Sequence, residues 1–259
     1  MESSRRALFL REMGLSPVWR LRAGERAGEE EASGIDDPAQ GSAALPVSAE
    51  VIGAGRVPVE VSGAPEAGDR AGCILEMDWP QLKAAVSGCQ SCSLCKTRTN
   101  TVFGVGDEQA DWLLVGEAPG AEEDARGEPF VGQAGRLLDN MLGSVGLKRG
   151  ANVYIANVLK CRPPGNRNPG PAEVAQCSPY LQRQIELVRP KLVIAMGRFA
   201  AQALLETDAT IGSLRGKLHR YRGVPLVVTY HPAYLLRSLP EKAKAWEDLC
   251  FARRTMAGL

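Results

Sequence analysis

The sequence predicts an α/β protein: a three-layer α/β/α sandwich around a central, mostly parallel four-stranded sheet, preceded by a disordered N-terminal extension. Two observations carry this. Four short apolar runs, Trp112–Val115, Val153–Ala156, Leu192–Ala195 and Leu226–Thr229, are rich in Val, Ile and Leu, as strands buried on both faces are. Helical patterns near 133–146, 171–189 and 198–206 separate them, and one at 241–257 closes the chain. Strand–helix alternation of this kind gives a parallel sheet with helices on both faces.

The boundaries have local causes. Pro171-Ala172-Glu173 is a helix start and Gly197 stands just before another. A further helix begins near Trp79-Pro80 and runs into a cysteine cluster at 89–95. Residues 1–22 suit a short amphipathic helix anchored by Leu8, Met13, Leu15 and Trp19, a candidate contact for a protein partner. Residues 23–75 are rich in Ala, Gly, Glu and Pro and contain no Phe, Trp or Tyr. Such a stretch buries too little apolar area to offset its ordering entropy, so a disordered acidic linker is expected there, with a folded domain over 76–259.

The formal net charge of +1 over 259 residues conceals an asymmetry. Residues 23–72 hold 10 acidic and 3 basic side chains, whereas the chain beyond 72 is net basic. An acidic segment thus precedes a basic body, which is compatible with a polyanionic partner. No apolar run approaches the roughly 18 residues of a membrane span. The opening Arg5-Arg6-Ala7-Leu8-Phe9-Leu10 meets Arg11 and Glu12 before it reaches the about 7–15 apolar residues of an export signal. A cytoplasmic location is therefore expected, where clustered thiols stay reduced and serve as metal ligands more often than as disulfides.

In parallel sheets ligands bind beyond the carboxyl ends of the strands. After the first run comes Gly116-Glu117-Ala118-Pro119-Gly120, after the second Asn157, after the third Gly197-Arg198, and after the fourth His231. Each has an ordinary structural use: a Gly/Pro turn, a strand-end cap, a buried histidine. Together, a carboxylate, an amide and an imidazole at strand ends form the lining of a crevice for a small polar heterocycle, since an amide offers a donor and an acceptor at once. Cys89 and Cys92 form a C-x2-C pair, with Cys161 and Cys177 far downstream. Four thiolates suit tetrahedral zinc or an iron–sulfur cluster, and spacing alone does not choose. Cys95 extends the first run, and Cys73 and Cys250 stand outside this spacing pattern.

At Gly116-Glu117-Ala118-Pro119-Gly120, Pro129-Phe130-Val131-Gly132, Asn157 through Lys160-Cys161-Arg162-Pro163-Pro164, and His231-Pro232-Ala233-Tyr234-Leu235-Leu236-Arg237, the sequence resembles the family 4 uracil-DNA glycosylases, the iron–sulfur branch of that superfamily. The resemblance spans about residues 85–240. It implies a DNA repair hydrolase that flips uracil out of uracil-containing DNA and cleaves its N-glycosidic bond, starting base excision repair. It also implies a [4Fe-4S] cluster on Cys89, Cys92, Cys161 and Cys177, with Cys95 left out. Gly116, Glu117, Ala118, Glu122, Phe130, Asn157 and His231 match the uracil pocket. Among these, Glu117, Asn157 and His231 are the expected catalytic residues, and Glu122 the expected guard against thymine's methyl group. Leu235, Leu236 and Arg237 match a wedge that fills the gap left by the flipped base. Ala118 stands where other branches of the superfamily carry Asp or Asn, so the water is expected to need only positioning, by Glu117 or its backbone neighbours. Two other readings are a sister glycosylase acting on hypoxanthine or mismatched thymine, and a non-catalytic iron–sulfur or zinc DNA-binding module.

Overall fold

The structure is a computed structural model that describes residues 67–259. The expected helix at 1–22 and most of the expected linker lie outside the described residues. The linker's last nine residues do not: Ala67–Glu76 is helix α1, and its Ile74 is buried against Leu82, Val86 and Tyr180. The expected boundary at 75/76 therefore falls inside a helix whose apolar anchor, Ile74, is a single residue and left little trace in the composition. Next come α2 (Trp79–Ser87), β1 (Val105–Gly106), β2 (Trp112–Gly116), α3 (Ala121–Arg126), α4 (Gln133–Ser144), β3 (Val153–Asn157), α5 (Pro171–Val188) and β4 (Leu192–Met196). The chain continues through α6 (Arg198–Leu205), α7 (Ile211–Leu214), β5 (Leu218–Tyr221), β6 (Val224–Thr229), α8 (Pro232–Leu235) and α9 (Glu241–Ala257).

The sheet has six strands in the order β1-β3-β2-β4-β6-β5. The four expected runs form its centre, β3-β2-β4-β6, and every pairing among them is parallel. The expected count of four is corrected by the edges. β1 is a two-residue strand antiparallel to β3, and β5 pairs antiparallel with β6 across Arg222-Gly223, both at positive φ. Two residues with φ > 0 make the tight turn that suits the twist of a hairpin.

Side chains along β2 alternate between two apolar layers. Trp112 and Leu114 pack with Leu138, Met141, Ile155, Ile194 and Leu249 beneath α4 and α9. Leu113 and Val115 pack with Ala156, Ile185, Val193, Ala200 and Val228 beneath α5 and α6. Both faces are thus covered, which is why these strands read as unbroken apolar runs. Connections leave β2 toward β3 and leave β4 toward β6, so the strand order reverses between β2 and β4. Open α/β sheets bind their ligands at that reversal.

Helix α4 reaches the site through Gly135, where a Cβ would lie 1.8 Å from the Phe130 carbonyl oxygen. Both partners are backbone, so neither can swing away. Gly135→Ala is expected to destabilise the fold by about 3 kcal/mol, a fall in Tm of roughly 6–12 °C by calorimetry. Gly143→Ala, in the same helix with nothing within 4 Å, should instead raise it slightly. Equal shifts for the two would refute the packing argument.

Candidate active site

The carboxyl ends of the four central strands open into one cavity of about 720 Å3, whose lining includes Glu117, Ala118, Phe130, Asn157, Arg198 and His231. Its floor is set by strand register. Gly116 lies directly opposite Asn157 in the β2–β3 pairing. A Cβ on Gly116 would come 2.4 Å from Asn157 Oδ1 and 2.6 Å from the Phe130 ring. Gly116 therefore sits under the cavity, and its missing side chain lets the amide and the ring settle there.

Asn157 is 2% exposed, and its Oδ1 is buried without a hydrogen-bond partner. A buried, unpaired acceptor costs on the order of 1–3 kcal/mol and marks a position kept for something else. From behind, the residue is held by Lys160, itself 1% exposed, whose Nζ donates to the Asn157 carbonyl at 2.8 Å and to Gln184 Oε1 at 2.6 Å. Gln184 in turn donates to the Phe103 carbonyl. Lys160 was not singled out as a functional residue; a lysine within the Asn157–Cys161 stretch gives no sign by itself that it points inward.

Phe130 has φ +55, a left-handed conformation that is strained for a bulky aromatic residue. Its surroundings impose it. Arg149 donates to the Pro129 and Phe130 carbonyls, and the Glu123 carboxylate accepts from the Val131, Gly132 and Gly120 amides. Here an expectation is corrected. Glu122 is exposed and does not line the cavity, whereas Glu123 does. Glu123 is the third residue of α3 and reaches back to the Gly120 amide, as a capping-box carboxylate does. The Gly120-x-x-Glu123 spacing was the available signal, and it selects the second glutamate.

His231 caps α8. Its Nδ1 accepts from the Ala233 amide at 3.2 Å, and its ring lies 5.4 Å from that of Phe130, tilted by 31°. Gly197, at φ +92, makes room for it, since a Cβ there would come 2.9 Å from His231 Cβ. Burial pushes the imidazole down to about 4, with Glu123 opposing the shift. The ring is neutral at neutral pH. Because Nδ1 is an acceptor, the proton sits on Nε2, which is then a donor free for a ligand. Burial drives Glu117 the other way, up to about 7, against the pull of Arg198. The cavity thus presents a neutral N–H donor, an unpaired amide acceptor, an aromatic face and a carboxylate poised near neutrality.

The wedge expectation divides. Leu235 is 0% exposed and part of the core beneath α4, so it cannot insert into DNA without unpacking. Leu236 and Tyr234 are each 38% exposed, and Tyr234 and Arg237 line the cavity.

The cysteines gather behind β3. Cys161 and Cys177 are buried with Leu94 and Leu159, and Cys92 packs against them. Burial raises Cys161, which Arg98 lowers through an Nη1–Sγ contact of 3.1 Å, while Cys92 and Cys89 push it back up. Cys177 is pushed up to about 11 by burial, with Cys161 and Cys92 adding to the rise against Lys160. Cys161 is thus within electrostatic reach of the other three expected sulfurs, and Cys177 of Cys161 and Cys92. Among the described residues no three His, Cys, Asp or Glu side chains form a closed metal-holding group. The donor set nevertheless fits a thiolate-bound group: two buried thiols stay protonated unless a cation replaces the proton, and Arg98 is at hand to offset the sulfur charge.

The fold and site define a doubly wound α/β protein with a donor–acceptor-lined crevice at the reversal point of its sheet. The family model described as the uracil DNA glycosylase superfamily matches residues 103–250. A Type-4 uracil-DNA glycosylase of Archaeoglobus fulgidus is 49% identical over 159 residues, 58% of this chain and 79% of the relative. One from Pyrobaculum aerophilum is 42% identical over 181 residues, 67% of this chain and 92% of the relative. A Type-5 uracil-DNA glycosylase of the latter organism is 36% identical over 146 residues, 50% of this chain and 64% of the relative. The chain belongs to the uracil-DNA glycosylase superfamily.

The raised Glu117 carboxyl has a consequence for stability. A carboxyl that holds its proton more tightly folded than unfolded stabilises the fold below its unfolded value, near 4.5, and that contribution is lost as pH rises through about 7. Glu117→Gln should therefore raise Tm at pH 8 while leaving it nearly unchanged at pH 4. A shift of the same size at both values would contradict a desolvated Glu117.

Proposed function

We propose that the protein is a uracil-DNA glycosylase of base excision repair, which flips uracil from DNA into this cavity and hydrolyses its N-glycosidic bond. The observation that carries the reading is the buried, unpaired Oδ1 of Asn157, a residue that lines the same cavity as the Phe130 ring and as His231, whose Nδ1 is an acceptor and whose Nε2 therefore carries the proton. Uracil N3–H supplies the missing donor, and O4 accepts from Asn157 Nδ2. Cytosine presents the reversed pattern on that edge and leaves Oδ1 facing another acceptor. A flipped base is unstacked at a cost of a few kcal/mol, which the Phe130 face offsets by stacking.

Cleavage breaks the bond between C1′ and N1. The electron pair stays with the base, whose charge spreads to O2, while the sugar becomes cationic. His231 Nε2–H donates to O2 without having to lose a charge, a preorganised contact of the kind that dominates such reactions. Ionised Glu117 holds the water that adds to C1′ and receives its proton. Glu123 fixes the loop carrying Phe130 and stands beside the base in place of the expected Glu122. Leu236 and Arg237 take the wedge and phosphate roles next to the flipped nucleotide.

Cys89, Cys92, Cys161 and Cys177 would hold a [4Fe-4S] cluster. Its contribution would be architectural, because hydrolysis moves no electrons: it would tie the segment after α2 to the loop following β3, at Cys161, and to α5, at Cys177. Among the described residues no helix is long and apolar enough to cross a membrane, in keeping with a cytoplasmic enzyme. The folded unit from residue 67 onward carries the chemistry, and residues 1–22 are reserved for a protein partner.

Excision of uracil from a single-stranded oligonucleotide tests the reading. His231→Ala should lower kcat about 10²–10³-fold, and Asn157→Asp should open the pocket to cytosine. Full activity of His231→Ala would reject the mechanism. The wild-type rate should fall as pH drops below about 7, and Glu117→Gln should lose that limb along with most of its activity. Purified protein should contain iron and acid-labile sulfide in equal amounts with a visible sulfur-to-iron absorption, and Cys161→Ser should abolish it; zinc in its place would overturn the cluster assignment.

A further inference from the structure

The cavity is larger than one base requires. About 720 Å3 lies within the roughly 300–1,000 Å3 that accommodates a drug-sized ligand, and the base-reading groups account for only part of its wall. The remainder includes Phe199, Tyr230, Tyr234 and Arg198, which the proposed reaction leaves unused, beside Arg237 with its phosphate role.

These side chains are organised. Tyr234 stacks on Tyr230 with ring centroids 5.2 Å apart and planes inclined by 30°. The Arg215 guanidinium lies over the Tyr230 ring, 4.7 Å from its centroid. Arg215 is immobilised in turn by two hydrogen bonds to Asp248, at 2.6 and 2.9 Å, and Asp248 is 2% exposed. A buried carboxylate thus fixes a guanidinium, the guanidinium fixes one phenol, and that phenol carries a second that is 38% exposed at the cavity wall. Exposed tyrosines ordinarily keep rotamer freedom; here that freedom has already been given up before any ligand arrives. On the same wall, Arg198 lies over the Phe199 ring at 4.5 Å.

Aromatic faces beside guanidinium groups are the means by which proteins hold single-stranded nucleic acid: bases lie on the rings, and arginines take the phosphates. The geometry points to a second subsite, an aromatic shelf formed by Tyr234 on Tyr230, which stacks the base of the nucleotide adjacent to the flipped uracil while Arg198 and Arg237 neutralise the intervening phosphates. The inference rests on the glycosylase reading for the identity of the neighbouring pocket. The shelf differs from the wedge in what it recognises. A wedge fills a vacancy in a duplex, whereas the shelf binds a base that is present, and it is most useful when the strand is unpaired.

Single-stranded oligonucleotides with one uracil, flanked either by ordinary nucleotides or by base-less spacers on the 5′ side, the 3′ side or both, provide the test. Affinity and excision are measured for the wild type, Tyr234→Ala and Tyr234→Phe. With ordinary neighbours, Tyr234→Ala should raise Kd and KM about tenfold, since one base–aromatic stack contributes about 1–3 kcal/mol, with kcat little changed; Tyr234→Phe, which keeps the ring face, should restore both. With spacers on the side the shelf occupies, the wild type should fall to the level of Tyr234→Ala. A loss in Tyr234→Ala that is equally large with and without neighbouring bases overturns the shelf, as does a loss confined to duplex substrates, which is the signature of a wedge. Neighbour-dependent affinity without excision would leave the shelf standing and reject the glycosylase reading.

Discussion

One strand register governs the site: Gly116 at the end of β2 lies opposite Asn157 at the end of β3. Because side chains alternate along a strand, a slip of one residue would turn Asn157 to the opposite face of the sheet and put Ala156 in its place. The register is held by burial on both faces, with Val115 and Ala156 in one apolar layer and Leu114 and Ile155 in the other. The glycine then leaves the space in which an amide and an aromatic ring can meet. Core packing and the shape of the cavity floor are in this sense one constraint, applied at adjacent residues.

Around that floor the site is built from groups that have been denied their usual comforts. Asn157 keeps an acceptor unpaired, Phe130 accepts a left-handed backbone, and Glu117 is desolvated toward neutrality. The first two are held in place by their neighbours: Lys160 behind Asn157, Arg149 and Glu123 around Phe130. Strain and unsatisfied polarity concentrate where function needs preorganisation, and the rest of the fold absorbs the expense.

The parts of the molecule that could be read from the chain were those whose signal is local. The four central strands announced themselves because burial on both faces leaves uninterrupted Val, Ile and Leu, and the functional residues followed from inspecting what stands after each. β1 escaped because two residues form no pattern. β5 escaped because it is half exposed, with Leu218 and Arg220 on different business from an apolar run. The difference between Glu122 and Glu123 is one helical step of about 100°, visible only if the capping spacing is noticed. Leu235 looks identical to Leu236 in sequence, but the short turn of α8 sends one into the core and the other to the surface. Composition could not separate Ile74 from the tract before it, since a single buried anchor makes a helix that no average registers.

The buried bridge from Lys160 has a last implication. Asn157 and Cys161 stand four residues apart on the same strand exit, and Lys160, next to Cys161, donates from its Nζ to the Asn157 carbonyl. Whatever displaces the sulfur end of this segment is felt at the Asn157 amide as well, because one buried side chain is anchored between them.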